Sequence, residues 1–411
     1  MNTSPTSAPV SSYRWLVLLS FMFMALLSQL AWLTFAPITT DTAALFHVTE
    51  FDVSLLSLVW PVVFVILAIP VGIFIDKKGF TISIRIAAVF LAVFSVLRIA
   101  APLLDNNFTV LLISSIGAAV SQPFIFGSIT KLAVSWFPQR ERGLATGLGT
   151  IGLFLGMMLA LILIPFLYLG LGIAKMLMVL GLLCCAGAFL FFVIGREGTM
   201  TALAESENFT LKDLLTLSKR RDFAILEYGF FVTIGGFTAI LTWLQVMLNS
   251  LHGISIDDAG IIGGMIIIGG IIGSIAIPAL SDKIHKIKIL VVIDLAVGTI
   301  GFYFIGVFSS FLLLVVTSFI VGFFLMSALP LVLEISNRIA GTGMEGRASS
   351  MLWFFSQVGS ILLIAAVEPM RAFGGGYMSS ILFLAGLWAV AFLLFLLLNE
   401  KKLGHQKTTT P

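Results

Sequence analysis

The sequence carries very little charge for its length. Charged residues make up 10% of the 411 residues, whereas hydrophobic residues make up 59%. Charged residues usually supply about a quarter of the residues of a soluble domain. This composition therefore excludes a soluble globular protein. The net charge of +3 is too small to indicate a nucleic-acid partner. A bilayer suits the composition, because each spanning helix needs roughly 20 apolar residues.

Cysteine is also scarce, and catalytic signatures are missing. The two cysteines, Cys184 and Cys185, are adjacent within an apolar run, which argues against a disulfide framework. There is no His-Glu-x-x-His, no Gly-x-Ser-x-Gly and no P-loop Gly-Lys-Ser/Thr. We therefore expect neither an enzyme nor an ATP-driven pump, and no catalytic residue, cofactor or metal.

Long apolar runs fill most of the chain. The first, from Trp15 to Pro37, is too long for a signal-peptide core, so we expect a retained helix. Together the runs predict twelve transmembrane helices, at about 15–37, 52–74, 82–104, 108–136, 143–168, 171–195, 223–248, 258–280, 288–308, 310–336, 347–369 and 377–398.

A loop motif is repeated half a chain apart. Gly-x-x-x-Asp-Lys-x-Gly occupies residues 72–79, and a weaker copy occupies 278–283. Their aspartates, Asp76 and Asp282, are 282 − 76 = 206 residues apart. Such duplication is typical of secondary transporters. We predict an all-α membrane protein with two pseudo-symmetric six-helix bundles, 15–195 and 223–398, a cytoplasmic linker at 196–222, and cytoplasmic tails at 1–14 (disordered) and 399–411.

The distribution of lysine and arginine predicts the orientation. One face carries most of them, including Lys219, Arg220 and Arg221, and the positive-inside rule makes that face cytoplasmic. The opposite face has few positive charges beyond Arg98, Lys175 and Arg371. We therefore expect a multi-pass protein of the cell membrane, plasma or inner, with both termini in the cytoplasm.

Regularly spaced glycines predict close helix packing. Small residues about four apart let helix backbones approach each other in a membrane. The fifth and eighth predicted helices each carry such a series: Gly143, Gly147, Gly152 and Gly156, and Gly260, Gly264, Gly269 and Gly273.

The loop at 72–80 and the segment 136–147 resemble signature loops of the major facilitator superfamily, and the resemblance covers all twelve predicted helices. It implies transport by alternating access. It also implies that Asp76 holds the cytoplasmic ends of the two halves together, with Arg140 or Arg142 as its charge partner. From the residues alone, Asp76 could accept hydrogen bonds at a helix start and Gly79 could form a tight turn. The alternative is an ordinary membrane-surface loop.

Three shorter segments, 31–33, 121–127 and 355–359, resemble the feline leukaemia virus subgroup C receptor family of facilitators. Members of that family are linked to choline, ethanolamine and haem. The resemblance places the substrate-contacting residues at Trp32, Gln122 and Gln357, and a gapped match adds Phe237.

The residues themselves support the same positions. Gln122 and Gln357 lie near the middle of predicted helices, where an amide is costly unless it faces a partner or a wet cavity. A hydrogen bond between two glutamines is the alternative. Trp32 lies shortly before Pro37. The alternative interpretation of Trp32 is a tryptophan at the membrane–water interface that contacts no substrate. Aromatic rings and amides suit a small organic cation, through cation–π attraction, or a neutral solute.

Four ionisable residues lie within about two turns of the predicted cytoplasmic ends: Lys131, Glu227, Asp294 and Glu334. Glu334 and Arg338 are four residues apart on one helix, so we expect them to pair. Structural ion pairs are one interpretation of this set, and proton coupling through Glu227 or Glu334 is the other. All four histidines fall in predicted loops or the tail, which does not favour haem.

We therefore predict a secondary transporter that moves a small organic solute, such as a choline-like cation, by alternating access. The alternatives are a proton-coupled carrier of another solute (drug, sugar, metabolite or anion) and a non-transporting membrane receptor. The expected partners are the solute and the bilayer, without nucleic acid, and we expect a monomer.

Overall fold

The computed structural model describes residues 12–198, 218–284, 286–340 and 345–398. These residues form thirteen α-helices: α1 (Tyr13–Trp32), α2 (Thr39–Phe46), α3 (Glu50–Leu97), α4 (Ala100–Leu103), α5 (Phe108–Ala119), α6 (Ser121–Trp136), α7 (Arg142–Ile194), α8 (Arg221–His252), α9 (Ile256–Ile284), α10 (Ile287–Val307), α11 (Phe311–Ala340), α12 (Glu345–Gly374) and α13 (Tyr377–Leu396). The predicted tails and linker lie almost wholly outside the described residues.

Ten helical segments of the described chain are long and apolar enough to cross a membrane. Two of them, Glu50–Leu103 and Gln139–Ile194, have 54 and 56 residues. Each contains a glycine at positive φ, Gly79 at 82° and Gly172 at 75°. Only glycine adopts this conformation readily, so the helix breaks there. About 20 residues suffice for one crossing, and the predicted count of twelve depends on a turn at each glycine.

The turn predicted at Gly79 is thus confirmed, and the described helix of the weaker motif copy ends at the equivalent point. Helix α9 continues without a break through Pro278 to Ile284. The equivalent of Gly79 in the copy is position 285 (79 + 206 = 285), which lies outside the described residues, and helix α10 begins at Ile287.

The described residues form two compact units. The first takes in 12–32, 66–160 and 167–198, and the second takes in 33–65, 161–166 and the described residues from 218 onward. Polar contacts hold 33–65 in the second unit. Tyr377 donates to Glu50 Oε2 over 2.9 Å, and Thr40 donates to Gln245 Oε1 over 3.2 Å. The predicted bundle limits, which follow the sequence repeat, stay a prediction.

Glycines bring helix backbones together in the second unit. A Cβ added to Gly269 would lie 2.1 Å from the Phe319 carbonyl oxygen, and one added to Gly273 would lie 1.8 Å from that of Phe323. Helices α9 and α11 therefore touch through their backbones. Gly260 packs in the same way against the Leu161 carbonyl oxygen, whereas Gly264 packs against the Ile162 side chain, so all four glycines of this series lie at helix contacts.

In the glycine series of the first unit, only Gly152 and Gly156 lie at a close helix contact. A Cβ on Gly152 would lie 2.8 Å from the Met22 carbonyl oxygen, and one on Gly156 would lie 2.2 Å from that of Leu26. Gly143 and Gly147 have nothing within 4 Å. Within this series, close approach to the backbone of α1 therefore begins at Gly152.

The glycine contact predicts a large loss of stability for Gly273→Ala, because the added methyl would overlap the Phe323 carbonyl. Overpacking of this kind costs about 1–3 kcal/mol or more. Gly386→Ala is the matched control, since Gly386 lies in α13 with nothing within 4 Å. That change should be neutral or gain up to about 1 kcal/mol of helix propensity. Thermal unfolding in detergent measures both, and equal midpoints would contradict the packing account.

Candidate functional site

Trp32 lies at the point where the first membrane segment is interrupted. It is the last residue of α1, and the chain then turns through a short 3₁₀ helix, Ala36–Ile38, that contains Pro37. Trp32 is 6% exposed. This burial does not fit an interfacial tryptophan that faces lipid and water.

Gln122 lies at a second interruption. Helix α5 ends at Ala119 and α6 begins at Ser121, because Pro123 has no N–H to donate to the preceding turn. Gln122 is buried, and its Oε1 has no hydrogen-bond partner among the described residues. Val120, between the two helices, keeps helical dihedral angles (φ −56°, ψ −28°), so this interruption is a proline kink within one membrane segment.

The two interruptions lie close to one helix contact. The hydroxyl oxygens of Ser28 and Ser121 are 3.5 Å apart, and each serine directly precedes a glutamine. Gln29 is fully buried, and neither its Oε1 nor its Nε2 has a partner among the described residues. Gln29 was not predicted as a site residue, although it is an amide inside an apolar run, just as Gln122 is.

Phe237 and Gln357 belong to the second unit and lie beside another helix contact. A Cβ on Gly235 would be 2.5 Å from the carbonyl carbon of Gly359, so α8 and α12 touch there. Phe237 and Gln357 are each two residues from these glycines. Phe237 is buried and Gln357 is half-buried. Trp32 and Gln122 therefore belong to the first unit, and Phe237 and Gln357 belong to the second.

Asp76 has a different partner from the one predicted. Its Oδ1 lies 3.3 Å from Lys131 Nζ, and both side chains are partly exposed. Arg142 Nε donates instead to the Phe137 carbonyl oxygen over 3.2 Å, and Arg140 is exposed. Asp76 therefore pairs with Lys131 here, and its pairing with Arg140 or Arg142 stays a prediction. Sequence spacing could not show which cation the turn at Gly79 places nearest.

A second carboxylate takes the helix-capping role expected of Asp76. Glu197 accepts from the backbone N–H of Thr81 over 3.0 Å and from that of Phe80 over 3.4 Å. These N–H groups begin the helical stretch after Gly79, where negative charge is favourable. The cap comes from more than 115 residues away, which the local sequence could not indicate.

The ionisable residues have three different environments. Glu334 pairs with Arg338, as predicted. Glu227 is buried and accepts from the Ser218 hydroxyl over 2.9 Å. Asp294 in α10 is 2% exposed, and neither of its carboxyl oxygens has a hydrogen-bond partner among the described residues. Asp294 was grouped with residues that could form structural ion pairs, but it is buried without such a partner among the described residues.

Comparison with known proteins agrees with this architecture. The profile of the Major Facilitator Superfamily matches residues 19–364. An uncharacterized protein of Archaeoglobus fulgidus is 37% identical over 225 residues, 55% of this chain and 100% of that protein. Choline/ethanolamine transporter flvcr2a of Danio rerio is 23% identical over 377 residues, 87% of this chain and 80% of that protein.

A solved structure shows the same fold. It is a bacterial homolog of the human lysosomal transporter Spinster, in an inward-facing and unoccupied conformation. The TM-score is 0.74 at 15% identity, with 96% of this chain and 98% of that chain covered. At this identity the likeness concerns the fold alone.

Proposed function

Because the chain belongs to the Major Facilitator Superfamily, we propose that it is a carrier of a small, choline-like organic cation that works by alternating access. It is a multi-pass membrane protein with transporter relatives. One observation carries the choice of solute: Trp32 and the unpartnered amide oxygen of Gln122 are buried beside one helix contact.

The chemistry of these groups suits such a solute. A buried indole ring attracts a cation through its quadrupole. An unpartnered buried amide costs about 1–3 kcal/mol, and a donor on the solute would recover part of this. The hydroxyl of choline or the ammonium of ethanolamine is such a donor. Both solutes appear in the name of the Danio rerio relative.

The second unit supplies the remaining groups in this proposal. Gln357 would add an amide and Phe237 an aromatic ring, as the resemblance to the choline-linked facilitators implies. The orientation predicted from Lys and Arg places both termini in the cytoplasm and the protein in the cell membrane, where it would act as a monomer. Asp76 is assigned to gating, with Arg140 and Arg142 as its partners in a conformation other than this one.

The proposed site at Trp32 and Gln122 predicts that Gln122→Leu changes protein stability and choline affinity in opposite directions. Removing an unsatisfied buried amide should leave the empty protein as stable as the parent or more stable. The same change should abolish part of the stabilisation that choline produces. Trp32→Ala should weaken choline binding by about 0.5–2 kcal/mol, or roughly 2- to 30-fold. Thermal unfolding in detergent with increasing choline concentration measures both effects.

Two controls accompany this test. Trp15→Ala removes a partly exposed tryptophan from the same helix, and Gln245→Ala removes a buried amide that is already bonded to Thr40. Neither should change choline affinity, although Gln245→Ala should lower stability. Parent-like affinity in both pocket variants would rule out the site. A parent that binds no quaternary amine but binds another solute would change the substrate class.

The assignment of Asp76 to gating predicts lower transport for Asp76→Asn with intact binding. The Asp76–Lys131 pair is partly exposed, so its loss should cost at most about 1 kcal/mol of stability. Uptake by proteoliposomes should fall, while choline affinity in detergent should stay within a few-fold of the parent's. Complete loss of binding by a folded variant would move Asp76 from the gate to the binding site.

Proton coupling is the second candidate function, and Asp294 favours it. A carboxylate without a partner is costly inside a membrane protein, and such residues often mark proton pathways. Ser327, on the adjacent helix α11, donates instead to the Phe324 carbonyl oxygen. Asp294 therefore joins Glu227 and Glu334 as a coupling candidate.

Coupling through Asp294 predicts that an imposed proton gradient accelerates uptake by the parent but not by Asp294→Asn. The neutral isostere should still exchange labelled for unlabelled solute, because solute binding is untouched. Glu368→Gln is the control, since Glu368 pairs with Arg371 and is not a coupling candidate. Equal parent uptake with and without the gradient would exclude coupling.

A further inference from the structure

A buried arginine joins three helices of the first unit beside Trp32. Arg98 directly follows α3 and is 3% exposed. Its Nη1 donates to the Ala31 carbonyl oxygen over 2.8 Å, and its Nη2 donates to the Ser115 hydroxyl over 3.2 Å. One guanidinium therefore connects the end of α1, the end of α3 and the middle of α5.

The Ala31 carbonyl is a group that needs such a donor. The last four carbonyls of a helix have no intrahelical partner, and Ala31 is the second-last residue of α1. The backbone bonds that follow run from Ala36 N to the Leu33 oxygen and from Ile38 N to the Phe35 oxygen. A cation at this helix end also opposes the negative pole of the helix dipole.

We propose that Arg98 is a positioning residue for Trp32: by holding the Ala31 carbonyl, it sets where α1 ends and where the indole ring is placed. This inference rests on the proposed function, because Trp32 contacts the solute in that proposal. Arg98 itself touches the helix end rather than the solute.

The positive charge of Arg98 offers a competing explanation with the opposite sign. A fixed cation near the pocket repels an organic cation, so removing it should tighten choline binding. Loss of positioning should instead weaken choline binding. The direction of the affinity change in a neutral variant therefore decides between the two roles.

The same helix contains a matched control. Arg85 Nη2 donates to the carbonyl oxygen of Gly195, the residue that follows α7, over 3.1 Å. Both arginines therefore bind a carbonyl at the end of another helix. They are 98 − 85 = 13 residues apart, which is about 20 Å along a helix. Arg85→Met therefore measures how much stability is lost when an arginine–carbonyl hydrogen bond at a helix end is removed far from Trp32.

The test compares Arg98→Met, Arg98→Lys and Arg85→Met in the full-length purified protein. Hydrogen exchange in the peptide that covers 29–36 reports the order of the helix end, and calorimetry reports the affinity for choline. Arg98→Met should exchange faster and bind choline about 2- to 30-fold more weakly, the range expected for a displaced cation–π contact. Arg98→Lys should recover part of both effects. Arg85→Met should lose stability without either change.

Each other outcome has a defined meaning. Parent-like exchange and affinity in Arg98→Met would overturn the proposal, and so would tighter choline binding. If Arg98→Met does not fold, Arg98→Lys decides, because it keeps the charge but cannot bridge both Ala31 and Ser115. If the parent binds no quaternary amine, the proposed substrate class fails, while the exchange of 29–36 still tests positioning.

Discussion

The structure depends on the absence of water from the bilayer interior. Every backbone polar group there must be satisfied within the protein, which makes the chain helical. The same constraint applies to side chains, so a buried polar group without a partner stands out. Gln29, Gln122 and Asp294 are three of these groups among the described residues, which also include the Trp60 indole N–H and several hydroxyls. Two of the three lie beside the contact of α1 with α6, and this is the physical basis for placing the solute near Trp32.

Much of the fold could be predicted from the sequence, because bilayer thickness fixes the length of apolar runs. The turn at Gly79 followed from a local motif and was predicted correctly. The second break, at Gly172, lies inside a helix predicted to begin at 171. Contacts between distant residues could not be predicted. Glu197 replaces Asp76 at the helix start, and Lys131 replaces the expected arginines, since neither position is marked by local spacing.

The site was partly predictable for a similar reason. An amide in the middle of an apolar run marks Gln122, and the same rule would have found Gln29. Arg98 was counted only as a positive charge on one face, because composition indicates the side of the membrane but not burial. Its role became visible only with the hydrogen bond to Ala31. The break after Trp32 and the break before Gln122 have one local signal, a proline nearby in each segment.

Counterflow in proteoliposomes tests the central claim, carriage of a small organic cation, most directly. Vesicles that contain the parent protein and unlabelled choline are diluted into labelled choline, with protein-free vesicles as the control. A carrier that alternates between two faces must exchange the two pools, so the account predicts transient accumulation of label in the protein-containing vesicles only. Absence of counterflow with choline and ethanolamine, in a preparation that exchanges a solute of another class, would contradict it.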